Sequence, residues 1–391
     1  MTNIEVIICL MLLFMAVPDV CRKFGRPALA FSAFVIVGFL LGPLTHGPVR
    51  TLLDQAGQVG FLLLLFEVGL EIDLPRLTEF VRPLRYAASW ALLQCQLAFG
   101  LSIYAGLDWK SAFVAAAALT ACSVGMAHPA WKSYPGFEAA PRFFMLHVMV
   151  ALEVIAIVIL AIETTLLKSG LTWIVVIKLA GIVCTVFLIA RFAAHLKTLF
   201  QSILQNTTHW RVHWLVLLVL GVCAVGNRLG LDAAKTAFFL GLAMSSTKHD
   251  GLSLASHIAP VSHRFLIPIF FVSLGLKIEW NMLVHWTTLL AVGSAGLILG
   301  AREVVYRRGF KIGGDDRAFL LLCPNLTIVA LAVKAMQDHG SDSKLTVWLL
   351  LTGLFVTIPS LFLLPAGKPE IEPDATNPPA SLTPPATSAL P

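Results

Sequence analysis

The stretch VMVALEVIAIVILAI, residues 148–162, carries one acid in an apolar run, and nothing within four positions of Glu153 on either side can ionise. A carboxylate in such surroundings can bind a proton or a hard cation, and desolvation would expel it unless a cavity, a cation or a proton keeps it there. Glu153 lies about ten residues, roughly 15 Å, from the nearer end of its apolar run, and glutamate is too short to reach water from that depth. The other candidates are shallower. Lys334 lies about three residues from the end of its run and can snorkel out. Arg302, about four residues from the end of its own, can snorkel or turn inwards. Glu67, about one turn deeper than Glu71, serves either as a structural partner for a polar neighbour or in an ion pathway. His128 is either a pH-sensing group or a satisfied structural histidine.

Apolar runs of about 20 residues, long enough to cross a bilayer, recur along the whole chain. Of its 391 residues 58% are hydrophobic and 13% charged, roughly half the charge of a soluble domain. These features predict an all-α polytopic membrane protein embedded in lipid. A β-barrel is excluded, because its strands would alternate apolar and polar residues. The net charge of +6 resides in short loops between apolar runs, so no nucleic-acid partner is expected. The seven cysteines are scattered without a CxxC pair, which argues against a disulfide frame or zinc site. Basic residues follow the first apolar run (Arg22, Lys23, Arg26), as expected for a retained helix and not a cleaved signal peptide. No HExxH, GxSxG or P-loop motif occurs, so neither an enzyme nor a cofactor is expected.

The runs read as about thirteen spans: 4–20, 28–44, 55–71, 86–106, 110–131, 143–166, 172–194, 212–227, 232–246, 264–279, 285–306, 316–337 and 345–365. Basic residues concentrate in alternate loops, such as CRKFGR, RLTEFVRPLR and REVVYRRGFKIGGDDR, which predicts the N-terminus outside and the C-terminus in the cytoplasm. The tail, residues 367–391, is proline-rich and polar and is expected to be a disordered cytoplasmic segment. Two spans are interrupted. The fifth reads AALTACSVGMAHPAWK, and the twelfth, LLLCPNLTIVALAV, carries Pro324 and Asn325 within the apolar run. Proline removes a backbone donor. Each interrupted span is the second of a triplet, 4–6 or 11–13, and these triplets run in opposite directions through the bilayer. Paired broken helices in inverted halves point to a transporter's binding site.

Three stretches resemble the monovalent cation:proton antiporter superfamily, the sodium/proton exchanger-like proteins of bacteria. They are RKFGRPALAFSAFVIVGFLLGP, GQVGFLLLLFEVGLEIDLPRL and PIFFVSLGLKIEW, and the likeness covers about residues 4–365. The resemblance implies a transmembrane exchanger domain over residues 1–366, with inverted repeats and two crossing unwound helices. Its core helices would be about 86–166 and 285–365. The scaffold and dimerisation helices, about 4–71 and 172–279, would make it a homodimer in the cell inner or plasma membrane. Glu153 falls on the family's essential acid and Arg302 on its basic partner in span eleven. Leu152 stands where relatives carry Asp, Asn or Gln, and PNLT stands where many have an Arg-Gly-Glu-like run.

A proton and a metal ion cannot share one carboxylate, so competition at Glu153 would give exchange of Na+ or K+ for H+ without any cofactor. A single acid implies one cation per proton, hence electroneutral transport. Glu153, Thr120 and Ser123, with carbonyls of the unwound stretches, are candidate ligands for the metal ion, and Asn325 and Thr327 are candidates from the second broken span. Arg302 would oppose the effect of desolvation on Glu153. Two rival readings are a sodium-coupled organic anion symporter and a non-transporting sensor or interaction protein.

Overall fold

The computed structural model describes residues 3–45, 47–71, 77–169, 198, 210–228, 233–245, 248–249, 252–283, 286–338, 340 and 342–365. The chain enters as α1 (Asn3–Lys23), α2 (Leu29–Leu41) and α3 (Pro48–Glu71). Then follow α4 (Leu77–Tyr104), α5 (Trp109–Thr120), α6 (Val124–Lys132) and α7 (Ala139–Ser169). After α8 (Arg211–Arg228) and α9 (Ala233–Met244) comes a two-stranded antiparallel pair, Lys248–His249 with Leu252–Ser253. The rest is α10 (Leu254–Val261), a π-helical turn (Ser262–Leu266), α11 (Ile267–Gly275), α12 (Trp280–Leu283) and α13 (Trp286–Gly309). A 3-10 turn (Ala318–Leu322), α14 (Leu326–Asp338) and α15 (Ser343–Leu363) complete it.

Each span read in the sequence falls on helix, the fifth and twelfth in two pieces, except that at about 172–194, which lies outside the described residues, as does the tail. Among the described residues six helical stretches are long and apolar enough to cross a membrane. The short α10 and α12 and the strand pair were not expected from hydropathy, because they fall between the long apolar runs.

Packing divides the helices by chemistry. α2 packs on α11, α11 on α3, and α3 on α9. These contacts are close because glycines leave room for backbone. A Cβ at Gly275 would strike the Val35 carbonyl, and one at Gly38 would strike Val272. Gly69 and Gly241 stand in the same relation between α3 and α9. Small residues admit such approach where lipid offers no hydrophobic drive between helices. A second network sets α5 against α4, α7 and α14, and α15 against α13 and α14. α13 turns Leu289, Val292, Leu297 and Val304 outwards, an apolar face suited to lipid.

Candidate functional site

The fifth span is not one helix. α5 is capped by Asp108, whose carboxylate accepts from the Lys110 N–H at 3.2 Å. The chain then leaves the helix over residues 121–123, with Ala121 and Ser123 both extended, and resumes as α6 at Val124. The twelfth span breaks likewise between the 3-10 turn and α14, at residues 323–325. Pro324 explains the break in part, since it cannot donate to the preceding turn. The two unwound stretches touch: the Ser123 N–H donates to the Pro324 carbonyl at 2.6 Å. Backbone groups freed by one break are thus partly satisfied by the other, as an apolar interior requires.

Glu153, in the middle of α7, is fully buried. Its Oε2 accepts the Val124 N–H at 3.1 Å. The carboxylate therefore faces the first turn of α6, where helix amides present partial positive charge. Arg302, also fully buried, serves the opposite ends. Its Nη1 donates to the carbonyls of Leu322 and Cys323, each at 3.2 Å, and its Nη2 to the Leu119 carbonyl at 2.5 Å. Those carbonyls close the 3-10 turn and α5, the negative ends of their helices. The Asn325 amide joins at the Leu119 carbonyl at 3.1 Å. Acid and guanidinium each complement a broken helix, and the Cys122 thiol lies within electrostatic reach of both.

The remaining candidates separate. Thr327 donates its hydroxyl to Ser123 Oγ at 2.6 Å, linking α14 to the unwound stretch beside α6. Thr120 gives its hydroxyl hydrogen back to its own helix, to the Ala116 carbonyl at 2.9 Å and the Ala117 carbonyl at 3.1 Å. Its oxygen retains lone pairs for a further ligand. Glu67, His128 and Lys334 take other places. Glu67 accepts from the Ser262 hydroxyl and pairs with His263 Nε2 at 2.8 Å, inside the glycine-packed helices. His128 stacks on Trp131, three residues on in α6. The Lys334 ammonium sits over the Phe61 ring, near the end of α14.

Several partners escaped sequence reading. The carbonyls of Leu119, Leu322, Cys323 and Pro324 have no side-chain signal. Thr357 of α15, which accepts the Asn325 N–H at 3.2 Å, was visible only as a hydroxyl in an apolar run.

Two broken helices meeting at a buried acid, within a bundle of apolar helices, define a secondary-transporter type of membrane protein. Comparison with known proteins narrows this. The family model "Sodium/hydrogen exchanger, transmembrane" matches residues 9–364. The chain belongs to that family, whose members are cation/proton antiporters and not enzymes. A Na(+)/H(+) antiporter of Enterococcus hirae is 24% identical over 297 residues, 70% of this chain and 73% of that protein. The K(+) efflux antiporter 2, chloroplastic, of Arabidopsis thaliana is 26% identical over 336 residues, 81% of this chain and 28% of its own length. The chain spans 62% of the length of a Bacillus subtilis relative. The fold resembles the structure of the sodium proton antiporter MjNhaP1 from Methanocaldococcus jannaschii, with a TM-score of 0.64 at 14% identity, covering 93% of this chain and 96% of that one.

Proposed function

We propose that this protein exchanges a monovalent cation, Na+ or K+, for protons across a membrane by alternating access, with Glu153 holding each in turn. The observation that carries this reading is Glu153 itself, fully buried yet placed at the junction of two broken helices. An ionised Glu153 attracts a cation, and the Val124 N–H helps to hold that ionised form. Protonation removes the charge that binds the cation, so the two ligands compete. Ser123 and Thr327 bring hydroxyl oxygens to the same crossing, and Thr120 and Asn325 flank it. Arg302 donates to carbonyls at helix C-termini near the acid, and as the proposed charge partner its positive charge would oppose the effect of desolvation on Glu153.

The helices α4–α7 and α13–α15 form the moving core, and α1–α3 with α8–α11 form the scaffold. One carboxylate, preceded by apolar Leu152, supports electroneutral exchange of one cation per proton. The unit is a homodimer in the bacterial inner or plasma membrane, with its N-terminus outside; the skew of basic residues between alternate loops supports that orientation.

Purified protein in liposomes tests the reading. A pH gradient is imposed, Na+, K+ or Li+ is added in turn, and internal pH is followed. Cation-dependent proton movement that vanishes in Glu153→Gln is the expected result. Proton movement indifferent to every cation would overturn it.

A further inference from the structure

Where α3 begins, the end of α14 faces the glycine-packed helices across a cavity of about 180 Å³. Lys277, just past α11, joins the two sides. Its Nζ donates to Gln337 Oε1 of α14 at 3.1 Å and pairs with Asp54 Oδ1 of α3 at 3.5 Å. Arg50 donates to the Leu276 carbonyl at 2.7 Å and so ties the segment carrying Lys277 to α3. On the same wall the Lys334 ammonium of α14 lies 5.4 Å from the centre of the Phe61 ring of α3. Ser273 of α11 lines the cavity and is 5% exposed.

These contacts differ from the glycine contacts within the scaffold. They are polar and partly open to solvent, with the Lys277 and Asp54 side chains 31% and 44% exposed. Such pairs are individually weak and can break and re-form without damage to the fold. They also lie on the seam between the helices that carry the broken spans and those that do not, the seam that alternating access must shift. Lysine suits the position. Its ammonium has three donors on a flexible stem, so it can hold Asp54 and Gln337 together and keep Asp54 when Gln337 departs. Its charge then stays paired in both arrangements.

We propose that Lys277 is the latch of one gate, holding Gln337 of the core to Asp54 of the scaffold while the protein is closed at this end. As a positioning residue for exchange it rests on the antiporter reading above; as a contact between two helix groups it does not. Removing the latch favours the state open at this end, and strengthening it favours the closed state. A ligand's apparent affinity falls with the fraction of protein able to bind it. Loss of the latch therefore tightens apparent cation affinity at this face and weakens it at the other.

The test uses Lys277→Met, which keeps the apolar stem, and Gln337→Glu, which turns the amide contact into an ion pair. In liposomes, Lys277→Met should tighten the apparent affinity at the latch face roughly three- to tenfold and weaken it at the opposite face. Gln337→Glu should do the reverse, whereas a merely damaged fold would weaken both faces alike. A second readout needs no transport: Ser273→Cys is introduced, and its modification by a membrane-impermeant maleimide is followed by peptide mass spectrometry. The rate should rise roughly three- to tenfold with Lys277→Met and fall with Gln337→Glu. Unchanged labelling in both variants, or shifts of the same sign at both faces, would overturn the latch. Opposite labelling shifts in a protein that exchanges no cation would leave the latch standing and sink the antiporter reading.

Discussion

Glu153 and Glu67 are 0% and 3% exposed, yet the structure meets these two carboxylates with different kinds of group. Glu67 accepts a serine hydroxyl and pairs with a histidine whose side chain is 44% exposed. Both partners come from one π-helical turn, and the surrounding helices are fitted to one another through glycine. Glu153 accepts a backbone amide from the end of a broken helix, at a crossing built from carbonyls, hydroxyls and a buried guanidinium. The first acid is stitched into a packed wall. The second lies where main-chain groups are only partly committed to helix, the setting in which the proposed exchange of proton and cation would act. Burial alone does not separate the two acids; the interruption of the helix that faces Glu153 does.

Exchanging both acids for their amides should break this comparison open. Glu153→Gln should reduce exchange in liposomes at least about a hundredfold, a loss of roughly 2.7 kcal/mol or more in transition-state terms, while unfolding in detergent moves little. Comparable exchange in Glu153→Gln and Glu67→Gln would dissolve the distinction. Arg302→Met should cost about 3–5 kcal/mol of stability in denaturant titrations, because three helix-end carbonyls lose a charged donor. A loss below about 1 kcal/mol would show that the breaks hold without it. On the scaffold side, Gly275→Val forces Cβ into the Val35 carbonyl. It should cost about 3 kcal/mol, seen as a lower Tm in detergent. Glu67→Gln should have the smallest effect. It keeps an acceptor for Ser262 and loses only the contact of a buried oxygen with His263, whose side chain is 44% exposed, so about 1 kcal/mol or less of stability and near-normal exchange are expected.

Much of this contrast was legible in the chain. Hydropathy located the spans, and proline with small polar residues located both breaks to within a few positions. Depth in an apolar run singled out Glu153. Glu67 stayed ambiguous, because its partner Ser262 is 195 residues away and His263 is the next residue along. Arg302 was legible as a charge that could turn inwards, but its carbonyl partners were not. Every residue has a carbonyl, and only the path of the backbone decides which are left without a helical donor. Lys334 read as a snorkelling lysine, and its place over Phe61 depends on α3, a helix near the start of the chain.

By itself the sequence determined that the chain lives in a bilayer, where its helices are interrupted, and that one acid cannot escape to water. These follow from local rules: apolar length against membrane thickness, the donor that proline lacks, and the short reach of a glutamate side chain. Only the tertiary structure decided that the two breaks lie against each other, that Glu153 meets an amide and Arg302 meets carbonyls, and that Lys277 spans the seam between two helix groups. Those outcomes depend on which distant backbone groups come within 3 Å or so of one another, and hydrogen bonds of that length are set by helix packing and not by any local pattern of residues.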